Sequence, residues 1–117
     1  MANTFKVITK SSVSASSGSP TTLYTVPSST TTVVLAILLS NKHSSAVKVT
    51  LILDSDTTNG GASANASVNL LKDVEISVEN SLEVLAGQKY VLQTTDIVKV
   101  YADNANVDLT LSYMEIT

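Results

Sequence analysis

Alternation of apolar and polar positions, with no helical stripe, runs through almost the whole chain. Thr4 to Val13 reads as a first strand, with Phe5 and Val7 on one face and Thr9 continuing the register. Leu23 to Val26 is a short strand stopped by Pro27, which cannot donate a ladder hydrogen bond. Thr32 to Ser40 holds the longest apolar run, Val33-Val34-Leu35-Ala36-Ile37-Leu38-Leu39. In Ala46 to Asp54, Val47, Val49, Leu51 and Leu53 point one way while Lys48, Thr50 and Asp54 point the other. Val68 to Val78 repeats the pattern, and Ser81 to Leu85 is expected to continue that strand past a break near Glu79-Asn80. Lys89 to Gln93, Ile97 to Ala102 and Val107 to Ile116 complete the set; in the last, Val107, Leu109, Leu111 and Tyr113 alternate with Asp108, Thr110 and Ser112.

The intervening segments carry turn chemistry. Residues 14–21 (SASSGSPT) and 56–67 (DTTNGGASANAS) are small and polar, and Thr94-Thr95-Asp96 and Asp103-Asn104-Ala105-Asn106 are hairpin-like. About eight short strands at roughly ten-residue spacing predict an all-β, single-domain antiparallel β-sandwich of jelly-roll type. Within it, residues 1–20 form an N-terminal strand and loop that could serve as an arm, and residues 21–117 form the sandwich. A length of 117 residues fits one core and not two.

The run 33–39 is apolar on both faces, which exceeds what a half-exposed strand requires. Seven residues fall far short of the ~20 that a membrane-spanning helix needs. The run is therefore read as a buried strand, or as one whose second face is covered by another subunit. Flanking charges that would protect open sheet edges are few. These features predict a homo-oligomer or a subunit of a larger assembly.

Composition narrows the function classes. Aromatics are limited to Phe5, Tyr24, Tyr90, Tyr101 and Tyr113, so the core is built from Val, Leu, Ile and Ala. Cysteine is absent, which removes disulfide staples, thiolate metal sites and cysteine nucleophiles. The net charge is −3 and all seven cations are lysines, dispersed along the chain. Without guanidinium groups or a basic stripe, nucleic-acid binding is not expected. Residues 1–10 lack the apolar core of a signal peptide, so none is expected.

Candidate chemistry is sparse. His43, the single histidine, lies in the polar turn Asn41–Ser45 and reads as an exposed turn residue. Asp54 to Gly60 resembles the start of a calcium loop, but Thr58 and Asn59 occupy the fifth and sixth positions and Asn65 stands where a bidentate Glu belongs. Glu75, Glu79 and Glu83 share one face at strand spacing and read as a solvated outer surface. Asn59-Gly60-Gly61 is a turn signal without the lysine or helix of a phosphate loop. No residue is singled out as catalytic, cofactor-binding or metal-ligating, and no enzyme activity is expected.

Three segments carry a resemblance: Leu23-Tyr24-Thr25-Val26-Pro27 with Thr30-Thr31-Thr32-Val33-Val34; Leu82 to Gly87 running into Lys89-Tyr90-Val91-Leu92 and Thr95-Asp96-Ile97-Val98-Lys99-Val100; and Val107 to Thr117. In these the chain resembles the small β-sandwich virion structural proteins of tailed bacteriophages of cyanophage type. Relatives often carry Gly-Asp before the Ile-x-Val strand, where this chain has Thr95-Asp96. The resemblance implies a capsid decoration or cement protein, assembled in the host cytoplasm and resident in the virion. Its partners would be itself, as a trimer, and the major capsid protein or other virion proteins. Burying a few hundred Å2 of apolar surface at ~25 cal/mol per Å2 would contribute several kcal/mol per subunit before ordering costs. A neck, tail or baseplate component is the nearest alternative. A carbohydrate-binding jelly-roll module is the alternative from another class, although the chain has no tryptophan to stack on sugar.

Overall fold

A computed structural model describes residues 2–55, 65–85 and 88–117. Among the described residues nine strands follow one another: β1 (Asn3–Lys10), β2 (Thr21–Thr25), β3 (Thr31–Asn41), β4 (Val47–Asp54), β5 (Val68–Ile76), β6 (Ser81–Glu83), β7 (Tyr90–Leu92), β8 (Ile97–Ala102) and β9 (Val107–Ile116). One sheet has the order β1-β9-β3-β6, with β7 also paired to β3; the other has the order β2-β8-β4-β5. All pairings are antiparallel.

The pairing is nested: β1 with β9, β2 with β8, β3 with β6 and β7, and β4 with β5. This is a long hairpin rolled around itself, the jelly-roll arrangement of an antiparallel β-sandwich. Alternation drives the rolling, because each strand offers one apolar face that only an opposing sheet can cover. Val107, Leu109, Leu111 and Tyr113 of β9 and Val34, Ile37 and Leu39 of β3 face Val47, Val49 and Leu51 of β4 and Val98, Val100 and Ala102 of β8; all are buried. Tyr24 and Tyr113 meet across the core with ring centroids 4.5 Å apart.

Strand β6 does not continue β5. The chain turns at Ser77–Asn80, with Glu79 in the left-handed region at φ 58°, and crosses to the other sheet. There β6 pairs with Leu38–Ser40 and β7 with Thr32–Val34, so the two short strands share one place beside β3. The extra strand over the eight expected is β6, which stands apart from β5 instead of continuing it. Asn41 fixes the crossing: its buried amide donates to the carbonyls of Ser45, Ile76 and Ser77 at 3.0, 3.0 and 3.2 Å, and its Oδ1 accepts from the His43 N–H at 2.8 Å.

The N-terminal stretch lies along β9 through β1, paired from Asn3 opposite Ile116 to Lys10 opposite Leu109. Apart from half-buried Ile8, β1 is exposed on both faces. Beyond it, Ser12 takes φ 60° and Val13 turns in to fill the core, its N–H donating to the Val107 carbonyl at 3.0 Å.

Candidate functional site

The two outer faces of the sandwich are unlike. On the five-stranded sheet, Phe5 lies opposite Met114, Met114 opposite Val33, and Val33 opposite Val91, forming one apolar row across β1, β9, β3 and β7. Asn3, Ile116 and Thr31 form the row on one side; Val7, Ser112 and Ala36 form the row on the other. None of these residues is charged. Next comes Thr9, Thr110, Leu38 and Glu83, where the first charge appears at the sheet margin. The face stands open: Phe5 is 72% exposed, Val91 65% and Val7 61%. A bulge between Val34 and Ala36 lets β3 keep apolar side chains on both of its faces.

The four-stranded sheet turns a charged face outward. Lys48 lies opposite Glu75, Lys99 Nζ sits 2.9 Å from Asp54 Oδ2, and Lys72 Nζ lies 3.7 Å from Asp73 and 2.9 Å from the Tyr101 hydroxyl. Strand alternation alone would dress both faces this way. Only one of them is dressed for water.

Comparison with family models, with curated proteins and with solved structures finds no match.

The residues singled out from sequence do not converge. His43 is half-buried rather than exposed, because Asn104 and Asn106 from the β8–β9 turn reach its ring nitrogens at 3.4 and 3.2 Å. Glu75, Glu79 and Glu83 do not share a face: Glu75 is on β5, Glu79 in the crossing turn and Glu83 on β6 of the other sheet. The strand assumed to join them ends at Ile76. Asp54 is paired with Lys99 and Ser55 with Asp96; the rest of the calcium-like segment, Asp56 through Gly60, together with Asn59-Gly60-Gly61 and most of the 56–67 loop, lies outside the described residues. Among the described residues, no group of three or more His, Asp or Glu side chains is placed to hold a metal ion.

Polar side chains also cluster inside the sandwich. Glu115, whose side chain points inward, accepts from Lys6 Nζ at 2.6 Å and from the Tyr24 hydroxyl at 2.6 Å, and Thr32 Oγ1 lies 2.7 Å from the same hydroxyl. Lys6, followed by Tyr24, holds the Glu115 carboxyl below the usual carboxylate range. Burial, followed by Glu115, pushes the Tyr24 phenol far above its ordinary value, so it stays a donor. At the other cluster, buried Asp96 accepts from the Ser55 hydroxyl at 2.7 Å and the Gln93 N–H at 3.0 Å. Beside it runs a groove of about 340 Å3, lined among the described residues by Leu53, Val68, Val91 and Gln93 among others, with no aromatic ring.

The apolar row was only partly visible in the sequence. The run 33–39 marks β3, but Phe5, Met114 and Val91 become neighbours only through long-range register. One local signal existed: the polar alternation of Asp108, Thr110 and Ser112 breaks at Met114 and Ile116.

Proposed function

We propose that this chain is a non-enzymatic structural protein of a tailed-bacteriophage virion, a capsid decoration or cement protein that acts as a homo-oligomer and bridges major capsid subunits. The observation that carries this reading is the unlike character of the two outer faces. A cement protein works passively, through apolar area buried between its own copies and against the shell, and its oligomer needs a rigid body with one surface left undressed for pairing. The jelly roll is such a body, and the outer face of the five-stranded sheet is such a surface. The three segments that resemble virion proteins include β3, β7 and β9, which supply most of that surface. A neck, tail or baseplate component would use a surface of the same kind, and the place of binding separates the two.

The test is to add purified protein to phage particles prepared without it. Saturable binding over the capsid shell, with a raised rupture temperature, supports the cement role. Binding confined to the portal or tail end moves the protein to the neck or tail. Failure to bind particles, together with retention on a glycan array, would point to a carbohydrate module instead.

A further inference from the structure

We propose that the outer face of the five-stranded sheet is the contact surface between two copies of this chain, packed face to face about a two-fold axis. This deepens the assembly reading and rests on the same face, but it names the occupant: a second copy.

Area is the first argument. The three uncharged rows, four strands wide through Phe5 and three strands wide on either side, at ~4.8 Å between strands and ~6.8 Å between rows, cover roughly 330 Å2. With the flanking row of Thr9, Thr110, Leu38 and Glu83 the face reaches roughly 450 Å2 in projection, the size of a reversible contact rather than the ~800 Å2 per partner of a standard one. An apolar centre within a polar rim is the layout of a homodimer contact. Two such sheets would stack at the ~10 Å spacing of sheets within a sandwich.

Charge is the second argument. Two chains of net charge −3 repel each other unless the surfaces that meet are neutral. The three rows carry no charge: Lys6, Lys10 and Glu115 alternate to the opposite side of β1 and β9, while Glu83, the Lys42–Asp108 pair, 2.9 Å apart, and exposed Lys89 just before β7 stand at the margin. The charged outer face of the four-stranded sheet would be a poor partner for itself or for this one.

Symmetry is the third. A closed trimer takes two different complementary surfaces on each protomer, whereas a two-fold pair takes a single self-complementary one. The described residues present one extended uncharged sheet face. Strand β1 fits the same picture, because Phe5 and Val7 gain packing only from a body laid over this face.

Sedimentation equilibrium and light scattering at micromolar concentration test the proposal. The expected mass is twice that of the 12.3 kDa chain. Met114→Lys, which places a charge at the centre of the contact, is expected to weaken pairing roughly 100-fold or more. Met114→Leu, and Thr22→Lys on the opposite outer face, are expected to leave it unchanged. Circular dichroism confirms that each variant keeps its sheet structure. Should Met114→Lys fail to fold, Met114→Cys replaces it, since the chain has no other cysteine: a short bismaleimide then links two chains, while Thr22→Cys stays unlinked. A monomer, a trimer, or a dimer indifferent to Met114→Lys and unlinked at Met114→Cys would overturn the proposal. Particle binding is a separate readout: a dimer that ignores particles sinks the cement role alone, and a monomer that coats particles sinks the pairing alone.

Discussion

The Tyr24 hydroxyl donates to Glu115 Oε2 over 2.6 Å, tying β2 of one sheet to β9 of the other through the interior. Lys6 on β1 completes the link at Oε1, so the edge strand is held by an ion pair as well as by its ladder. Tyr24→Phe removes the donor and leaves a buried carboxylate oxygen short of a partner. The expected cost is about 1–3 kcal/mol, read from urea unfolding at neutral pH.

The same link sets a pH dependence. The Glu115 carboxyl is lowered in the folded chain, by Lys6 first and Tyr24 second. Its contribution is therefore present above the unfolded carboxylate value of ~4.3 and is lost as pH falls through the lower folded value. The Tyr24 phenol is raised, by burial first, so its contribution holds below the unfolded value of ~10 and declines as pH climbs above it. Unfolding midpoints of wild type and Glu115→Gln, followed from pH 7 down to pH 3, should converge at the acid end.

Thr95 sits at φ 76°, a conformation that a β-branched residue rarely adopts. The turn holds it there: Thr95 N–H donates to the Val26 carbonyl at 3.1 Å, and Asp96 N–H to the Gln93 carbonyl at 3.0 Å. Thr95→Gly should stabilise the chain by about 1 kcal/mol, strain relief outweighing the added freedom of the unfolded chain. Thermal unfolding of the two proteins checks the sign.

The Asn41 side chain binds the β3–β4 turn to the β5–β6 crossing. Asn41→Ala orphans buried carbonyls on both, and a loss of about 1–3 kcal/mol is expected. Amide exchange should show the loss concentrated at Ser77–Asn80 and β6.

Strand positions were legible because alternation is local: β4, β8 and β9 lie where Val47–Leu53, Ile97–Ala102 and Val107–Tyr113 put them. The nested pairing was legible only as a fold class, since no single strand names its partner. The parting of β6 from β5 was hidden because Leu82 alternates like any strand residue, and the crossing depends on Asn41, far away in sequence. Glu115 shows the same limit. Alternation from Tyr113 puts it on the inward face, but only the pairing of β1 and β2 brings Lys6 and Tyr24 to meet it there. The apolar face was half visible: Val33 to Leu39 announced it, while Phe5, Val91 and Met114 were isolated apolar positions until register aligned them.

Met114, at the centre of that row, is its own probe, because sulfoxide formation depends on access to the thioether. The direct measurement is the rate of Met114 oxidation by dilute peroxide, followed by peptide mass spectrometry as protein concentration is raised through the range where chains associate. If the face is a contact surface, Met114 oxidises readily in dilute protein and becomes protected in step with the rise in mass, and Phe5→Asp abolishes both changes. A rate that stays constant while the mass rises would contradict the account, since association would then leave this face open to water.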